Sequence, residues 1–241
     1  MPNGTAHNDR LAVLIDADNA QASIVHELLA EISRYGTVTL KRAYGDWTTA
    51  NLRGWKDVLH TMAIQPMQQF SYTTGKNSTD SSLIIDAMDL LHSGNLDGFC
   101  LVSSDSDFTR LATRIREAGL MVYGFGERKT PRAFVAACNK FVYTEILERQ
   151  QVPMAQSESE TEPLEPMIRA ALAATARENG WASLSAVGAM LLKNSPSFDS
   201  RNYGCQKLGE LVRQQAYLEV KEVPAGDGSA NVHLYVRQRM A

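Results

Sequence analysis

Cysteine is scarce in this chain: three in 241 residues, Cys100, Cys138 and Cys205, far apart and never in a CxxC pair. That pattern argues against a disulfide framework and a zinc knuckle, and it predicts three buried thiols. Long apolar runs are missing too. None approaches the roughly 18 residues needed to cross a bilayer, and no signal-peptide pattern follows Met1, so a soluble, cytoplasmic chain with no membrane partner is expected. Nor is there a large excess of one charge, the formal net charge being −3. The small total covers an asymmetry: residues 1–149 hold 15 basic and 17 acidic side chains, 150–166 hold only acids, and 167–241 hold nine basic against six acidic. The mildly cationic C-terminal part is compatible with a phosphate-bearing partner.

What is present suggests two domains, since 241 residues exceed what one minimal core requires. Residues 150–166 string together Pro153, Pro163, Pro166 and four glutamates without apolar periodicity, so an acidic flexible linker is expected at 150–163, between domains at 9–149 and 164–239. Upstream, apolar runs (11–15, 38–44, 64–70, 99–102, 120–125) alternate with amphipathic stretches (20–35, 52–62, 79–92, 108–118, 131–138). This alternation predicts an α/β domain, a parallel sheet with helices on both faces. Ile24, Leu28 and Ile32 share one helix face, Ser78 or Thr79 is a candidate cap for the helix bearing Leu83, Ala87 and Leu91, and Gly119 is a helix stop.

The chemistry is expected where strands end, because open α/β sheets bind ligands beyond the carboxyl ends of their strands. The first strand runs into Asp16-Ala17-Asp18-Asn19 and the fourth into Ser103-Ser104-Asp105-Ser106-Asp107, while Asp80 opens a helix. Taken singly, Asp18, Asn19, Asp105 or Asp107 suits an ordinary cap or turn. Recurrence shifts the balance, since Asp16 and Asp105 each follow an apolar strand, where a charge without a partner is costly. Asp16, Asp80, Asp105 and Asp107 are therefore the candidate catalytic and metal-ligating residues. Crowded carboxylates suit Mg²⁺ or Mn²⁺, hard cations with oxygen ligands, and such a centre suits phosphodiester hydrolysis. Asp86, six positions after Asp80 and about a third of a turn round the helix, is better read as structural.

Asn19, Lys41, Arg42, Trp47, Lys76 and Asn77 are the candidate substrate-binding residues around the acids, cations for phosphate and an aromatic ring for a base. Trp55, at helical spacing from Leu52 and Leu59, reads as core, and His26, His60 and His92 as surface or packing residues.

The blocks LAVLIDADNA, YGDW, GKNSTDSSLIIDAMDLL, GFCLVSSDSDFTRLATRIRE and VYGFGERKTPRAFVAACNKFVY resemble, in order, the NYN family, the PIN-like nuclease group that includes LabA-like proteins. The resemblance implies a PIN-like α/β fold and a divalent-metal ribonuclease site. The family's first acid falls on Asp16 with its companion Asn19, the helix-start acid on Asp80, and the SSDxDF acids on Asp105 and Asp107. Some relatives carry two adjacent acids where this chain has Asp80-Ser81, one ligand fewer.

The C-terminal part reads as helices followed by a β-hairpin, a small winged-helix-like α+β domain, with helices at 164–176, around Val187 to Leu191 and at 205–215, and strands at 217–223 and 231–236. GWASLSAVGAMLLKNSPSFDSRNYGCQKLGELVRQQAYLEV resembles the OST-HTH or LOTUS domain, which implies binding to single-stranded or structured RNA or to a protein partner. Lys193, Arg201 and Lys207, with Asn202 and Arg213, are its candidate phosphate contacts. Two alternatives stay open at this point: a non-catalytic RNA-binding adaptor, and a nuclease acting on DNA.

Overall fold

The computed structural model describes residues 9–70, 78–148, 163–177, 179–224 and 232–239. The chain divides into two compact units, Met1–Pro153 and Met154–Ala241.

The first unit is built on six parallel strands in the order β3-β2-β1-β4-β5-β6. They are β1 (Arg10–Asp16), β2 (Thr37–Gly45), β3 (Gln65–Gln68), β4 (Gly98–Val102), β5 (Met121–Gly126) and β6 (Lys140–Tyr143). Among the described residues, α1 (Val25–Ile32), α2 (Trp55–Thr61), α3 (Ser78–His92), α4 (Thr109–Glu117), α5 (Arg132–Ala137) and α6 (Thr144–Glu148) accompany them. Sheet residues Leu11 to Ile15 are fully buried, as strands covered on both faces require. One face packs Ala12, Leu14, Phe99 and Leu101 against α3, α4 and α5. The other packs Leu11, Val13, Ile15, Cys100 and Val102 against α1 and α2. Strand order reverses at β1, with β2 on one side and β4 on the other, so a crevice opens between the carboxyl ends of β1 and β4.

The expected alternation is present, with differences at short elements. The stretch from Ala20 is not helical at once: a 3-10 turn at Ala22–Ile24 precedes α1. β6 and α6 were not foreseen, because a four-residue strand and a five-residue helix leave no periodicity to read. Gly119 does end α4, at φ +84°, a conformation that glycine adopts without Cβ strain. All three cysteines are free and buried.

The second unit contains α7 (Leu164–Thr175), β7 (Ala182–Ser183), α8 (Leu184–Asn194), α9 (Leu208–Arg213), β8 (Leu218–Pro224) and β9 (Val232–Gln238). Its antiparallel sheet has the order β7-β9-β8. Ile168, Leu172, Val187, Leu191, Leu211 and Val236 are among the residues of its core. The third helix is shorter than expected, opening at Leu208 after an extended Lys207 rather than at Cys205. Among the described residues no helix is long and apolar enough to cross a membrane.

Candidate metal centre

Strand parity decides which side chains reach the mouth of the sheet. Ala12 and Leu14 point to the α3 face, and two-residue alternation carries Asp16 to the same face. On β4, Phe99 and Leu101 point the same way, and Ser103 continues their series. The two strand ends therefore meet. The Ser103 hydroxyl donates to Asp16 Oδ2 at 2.8 Å and accepts the Asp105 N–H at 3.1 Å. Asn19 Nδ2 also donates to Asp16 Oδ2, at 2.8 Å, so this side chain orients the acid.

Asp80 enters from the first turn of α3 and is buried. One carboxylate oxygen each from Asp80, Asp105 and Asp107 lie within 4.8 Å of one another. Asp105 and Asp107 are held in a tight turn by the Asp107 N–H, which donates to Asp105 Oδ1 at 2.9 Å. Ser78 and Thr79, the candidate caps, are the first two residues of α3, and the Thr79 hydroxyl donates across the mouth to Asp18 Oδ2 at 2.9 Å, tying the start of α3 to the loop after β1.

The electrostatics of this cluster are unfavourable as it stands. Burial pushes the Asp80 carboxyl up to about 6, and the neighbouring charges of Asp16, Asp105, Asp107 and Asp18 add to the shift. Burial also raises Asp16, against the lowering effect of Asn19 and Ser103. Asp16 Oδ1 is buried and accepts no hydrogen bond among the described residues. Asp16, Asp80 and Asp105 make no ion pair with lysine or arginine among the described residues. An orphaned acceptor beside three converging carboxylates fits a hard divalent cation, which supplies the missing positive charge through oxygen ligands.

The candidate substrate residues scatter. Lys41 and Arg42 are adjacent on β2 and so face opposite ways. Arg42 pairs with Asp86 on α3, which also accepts from the Tyr44 hydroxyl, and Lys41 donates to the Met62 carbonyl beyond α2. Neither side chain joins the acidic cluster. Asp86 thus braces α3 against β2, a structural role. Trp47 Nε1 donates to the Met67 carbonyl at 3.0 Å and its ring meets Trp55 edge-on, with ring centroids 6.3 Å apart. Lys76 and Asn77 lie outside the described residues. In the second unit Arg201 is held by Asp199 at 2.7 Å, whereas Lys193 and Lys207 are exposed and have no ion pair among the described residues. Sequence reasoning passed over Ser103 and Thr79 as ligand-orienting groups. The signal for Ser103 was its place two residues beyond Leu101 on the same strand face.

Comparison with known proteins adds two matches. The model of the NYN domain matches residues 10–148, and that of the OST-HTH/LOTUS domain matches residues 159–229. No curated protein matches the chain. Among solved structures, a protein of unknown function from Vibrio parahaemolyticus is 20% identical with a TM-score of 0.49, the match covering 59% of this chain and 96% of that one. A solution structure from Chromobacterium violaceum is 40% identical over 36% of this chain and 90% of its own, with a TM-score of 0.28. An uncharacterized protein from Nitrosomonas europaea is 33% identical over 38% of this chain and 87% of its own, with a TM-score of 0.31.

Proposed function

Because the chain belongs to the NYN family and carries an OST-HTH/LOTUS domain, we propose that it is a divalent-metal-dependent ribonuclease whose C-terminal domain recruits RNA. The observation that carries this reading is the approach of Asp80, Asp105 and Asp107 to within 4.8 Å beside the unsatisfied buried oxygen of Asp16. These four residues would hold Mg²⁺ or Mn²⁺. When bound, the cation supplies an activated water and neutralises charge that builds on the phosphate. Asn19 and Ser103 fix the Asp16 carboxylate in one orientation, and Ser103 at the same time holds the backbone of Asp105. Thr79 ties Asp18 to the helix that delivers Asp80. Preorganised ligands of this kind spare the site a reorganisation cost when substrate arrives.

The linker assignment at 150–163 and a cytoplasmic setting belong to the same proposal, in which a tethered recruiting domain raises the local concentration of RNA at the acids. The test is single-turnover cleavage of single-stranded RNA and DNA by the purified chain, with Mg²⁺, with Mn²⁺ and with chelator. Metal-dependent RNA cleavage that Asp16→Asn abolishes supports the proposal. Cleavage of DNA alone makes the protein a deoxyribonuclease, and RNA binding without cleavage makes it an adaptor.

A further inference from the structure

A groove of about 920 Å³ lies beside the edge strand β3, walled by α2 and the segment after β2. Its volume falls within the range of about 300–1,000 Å³ typical of small-ligand sites. Leu52, Leu59, Ala63, Ile64 and Pro66 give it an apolar floor, to which three further kinds of side chain are added. Trp47 contributes an indole fixed by its bond to Met67 and its edge contact with Trp55. Arg53 and Lys56 contribute exposed cations along α2 and the turn before it, with the His60 ring exposed beside them. Gln68 closes one end, its side chain bonded to the Trp47 N–H and to Asp46. No carboxylate lines the groove among the described residues. Arg53 and Lys56 make no ion pair among the described residues, unlike Arg42 on the neighbouring strand β2.

The groove and the acidic mouth share a wall. A Cβ placed on Gly45, the last residue of β2, would lie 2.6 Å from Leu52 Cδ1, which lines the groove, and 3.4 Å from Asp18 Oδ1, at the mouth. A side chain would not fit at this position, so Leu52 and Asp18 approach closely on either side of the Gly45 backbone.

We propose that this groove binds a nucleotide of single-stranded nucleic acid next to the phosphate that is cut, a site that rests on the nuclease reading given above. A base with an exposed π-face stacks on an aromatic side chain only when it has left a duplex, and the flanking phosphates need cations. Trp47 meets the first requirement, Arg53 and Lys56 the second. A lining with cations and no acid among the described residues complements a polyanion, and the packing of Leu52 and Asp18 about Gly45 sets the groove beside the mouth of the sheet.

The experiment uses the full chain and an eight-nucleotide single-stranded oligoribonucleotide carrying 4-thiouridine. Irradiation should give crosslinks within residues 47–68, with Trp47 among the sites. The double substitution Arg53→Glu, Lys56→Glu changes two exposed side chains and should lower both that crosslink yield and kcat/KM for the oligonucleotide on the order of tenfold. Mn²⁺-dependent hydrolysis of bis(p-nitrophenyl) phosphate, which carries neither base nor ribose, should be unchanged. If no crosslink falls within 47–68, or if the double variant crosslinks and cleaves as the parent does, the groove is not a nucleotide site. A parent chain that hydrolyses neither the ester nor the oligonucleotide overturns the nuclease reading instead, and the crosslinks then decide the groove by themselves. Because Trp47 is partly structural, Trp47→Phe, which keeps a ring, is the companion variant: it should retain at least half of the crosslink yield that Trp47→Ala loses.

Discussion

In the C-terminal unit Arg169, Arg201, Arg213 and Arg237 each meet a carboxylate, Glu165, Asp199, Glu222 and Glu219 in turn. In the N-terminal unit Asp16, Asp80 and Asp105 gather at the mouth of the sheet and make no such ion pair among the described residues, two of them being buried. The difference is instructive because both arrangements use ordinary charged residues. Paired charges at the surface contribute about 0–1 kcal/mol each and mainly keep a fold soluble. Like charges held together at the mouth of a sheet oppose folding, and they persist only where the surrounding structure holds them in place. Here that structure is the fixed parity of β1 and β4 together with Ser103, Asn19 and Thr79. Uncompensated charge therefore marks the chemistry more sharply than the total charge does.

The largest effect is expected from removing one charge on the unpaired side. Asp105→Asn should lower single-turnover cleavage by on the order of a hundredfold or more, as loss of metal-ion stabilisation would. RNA affinity should hold, because binding is assigned to other side chains. The same variant should melt no lower than the parent in chelator, since it relieves repulsion; a parental cleavage rate would remove Asp105 from the site. Next comes pH. With Asp80 pushed up to about 6, the folded chain holds that proton more tightly than the unfolded one. Without metal, its contribution to stability is present at low pH and is lost as pH rises through about 6. Metal binding has the opposite sign, because ligation needs the carboxylate. The rise in Tm caused by Mn²⁺ should thus be large at pH 7.5 and shrink towards pH 5. In Asp80→Asn this dependence should flatten, and a Mn²⁺ effect equal at both pH values in the parent would argue against proton competition at this carboxylate.

Much of this contrast was legible in the sequence, and the failures share a cause. Asp16 could be read because it directly follows an apolar run, Asp105 because it stands just beyond another, and Asp80 because it opens a periodic helix. The alternation of sheet and helix was equally plain. Side-chain direction was not used with the same care. Lys41 and Arg42 were both named as substrate candidates, although adjacent residues on a strand point to opposite faces. Arg42 shares the face of Tyr44 and reaches Asp86, while Lys41 turns towards Met62. Ser78 or Thr79 was offered as a cap because both stand at a helix start; both fall inside α3, and the Thr79 hydroxyl finds Asp18, 61 residues away in sequence. Such a long-range partner leaves no local signal. The same is true of β6, whose four residues are placed by pairing with β5 rather than by their own pattern.

Breaking one ion pair in each unit gives a smaller and more direct comparison. Arg42 and Asp86 are largely shielded, with side-chain exposures of 21% and 19%, and Asp86 also holds the Tyr44 hydroxyl. Asp86→Ala strands both partners and should cost about 2–3 kcal/mol of stability. Arg213 and Glu222 stand in solvent, at 47% and 54% exposure, so Arg213→Ala should cost less than about 1 kcal/mol. Urea denaturation of the two variants, with m-values checked for equality, provides the measurement. Equal losses would mean that the shielding of the Arg42 pair has no energetic weight.

The smallest effect concerns the cations of the C-terminal unit that lack a partner. Four arginines there are committed to carboxylates, so the nine basic residues of 167–241 overstate what is open to phosphate. Lys193 and Lys207 are exposed and uncommitted. If this domain recruits RNA, Lys193→Glu with Lys207→Glu should weaken RNA binding by about three- to tenfold and make its salt dependence shallower, each phosphate contact to a single strand adding about 0.7 to the slope. Arg201→Ala provides the contrast. Its guanidinium is only 10% exposed beside Asp199, so its loss should lower the stability of the domain while leaving the salt slope of the remaining folded protein unchanged. Saturated cleavage should stay within a few-fold of the parent for the lysine pair, because no acid of the N-terminal unit has been altered. Fluorescence anisotropy against salt, alongside turnover at saturating RNA, separates these expectations. A lysine variant with the parental salt slope would move RNA recruitment away from this face of the domain, and an arginine variant with a shallower slope would show that pairing with Asp199 does not withhold Arg201 from phosphate.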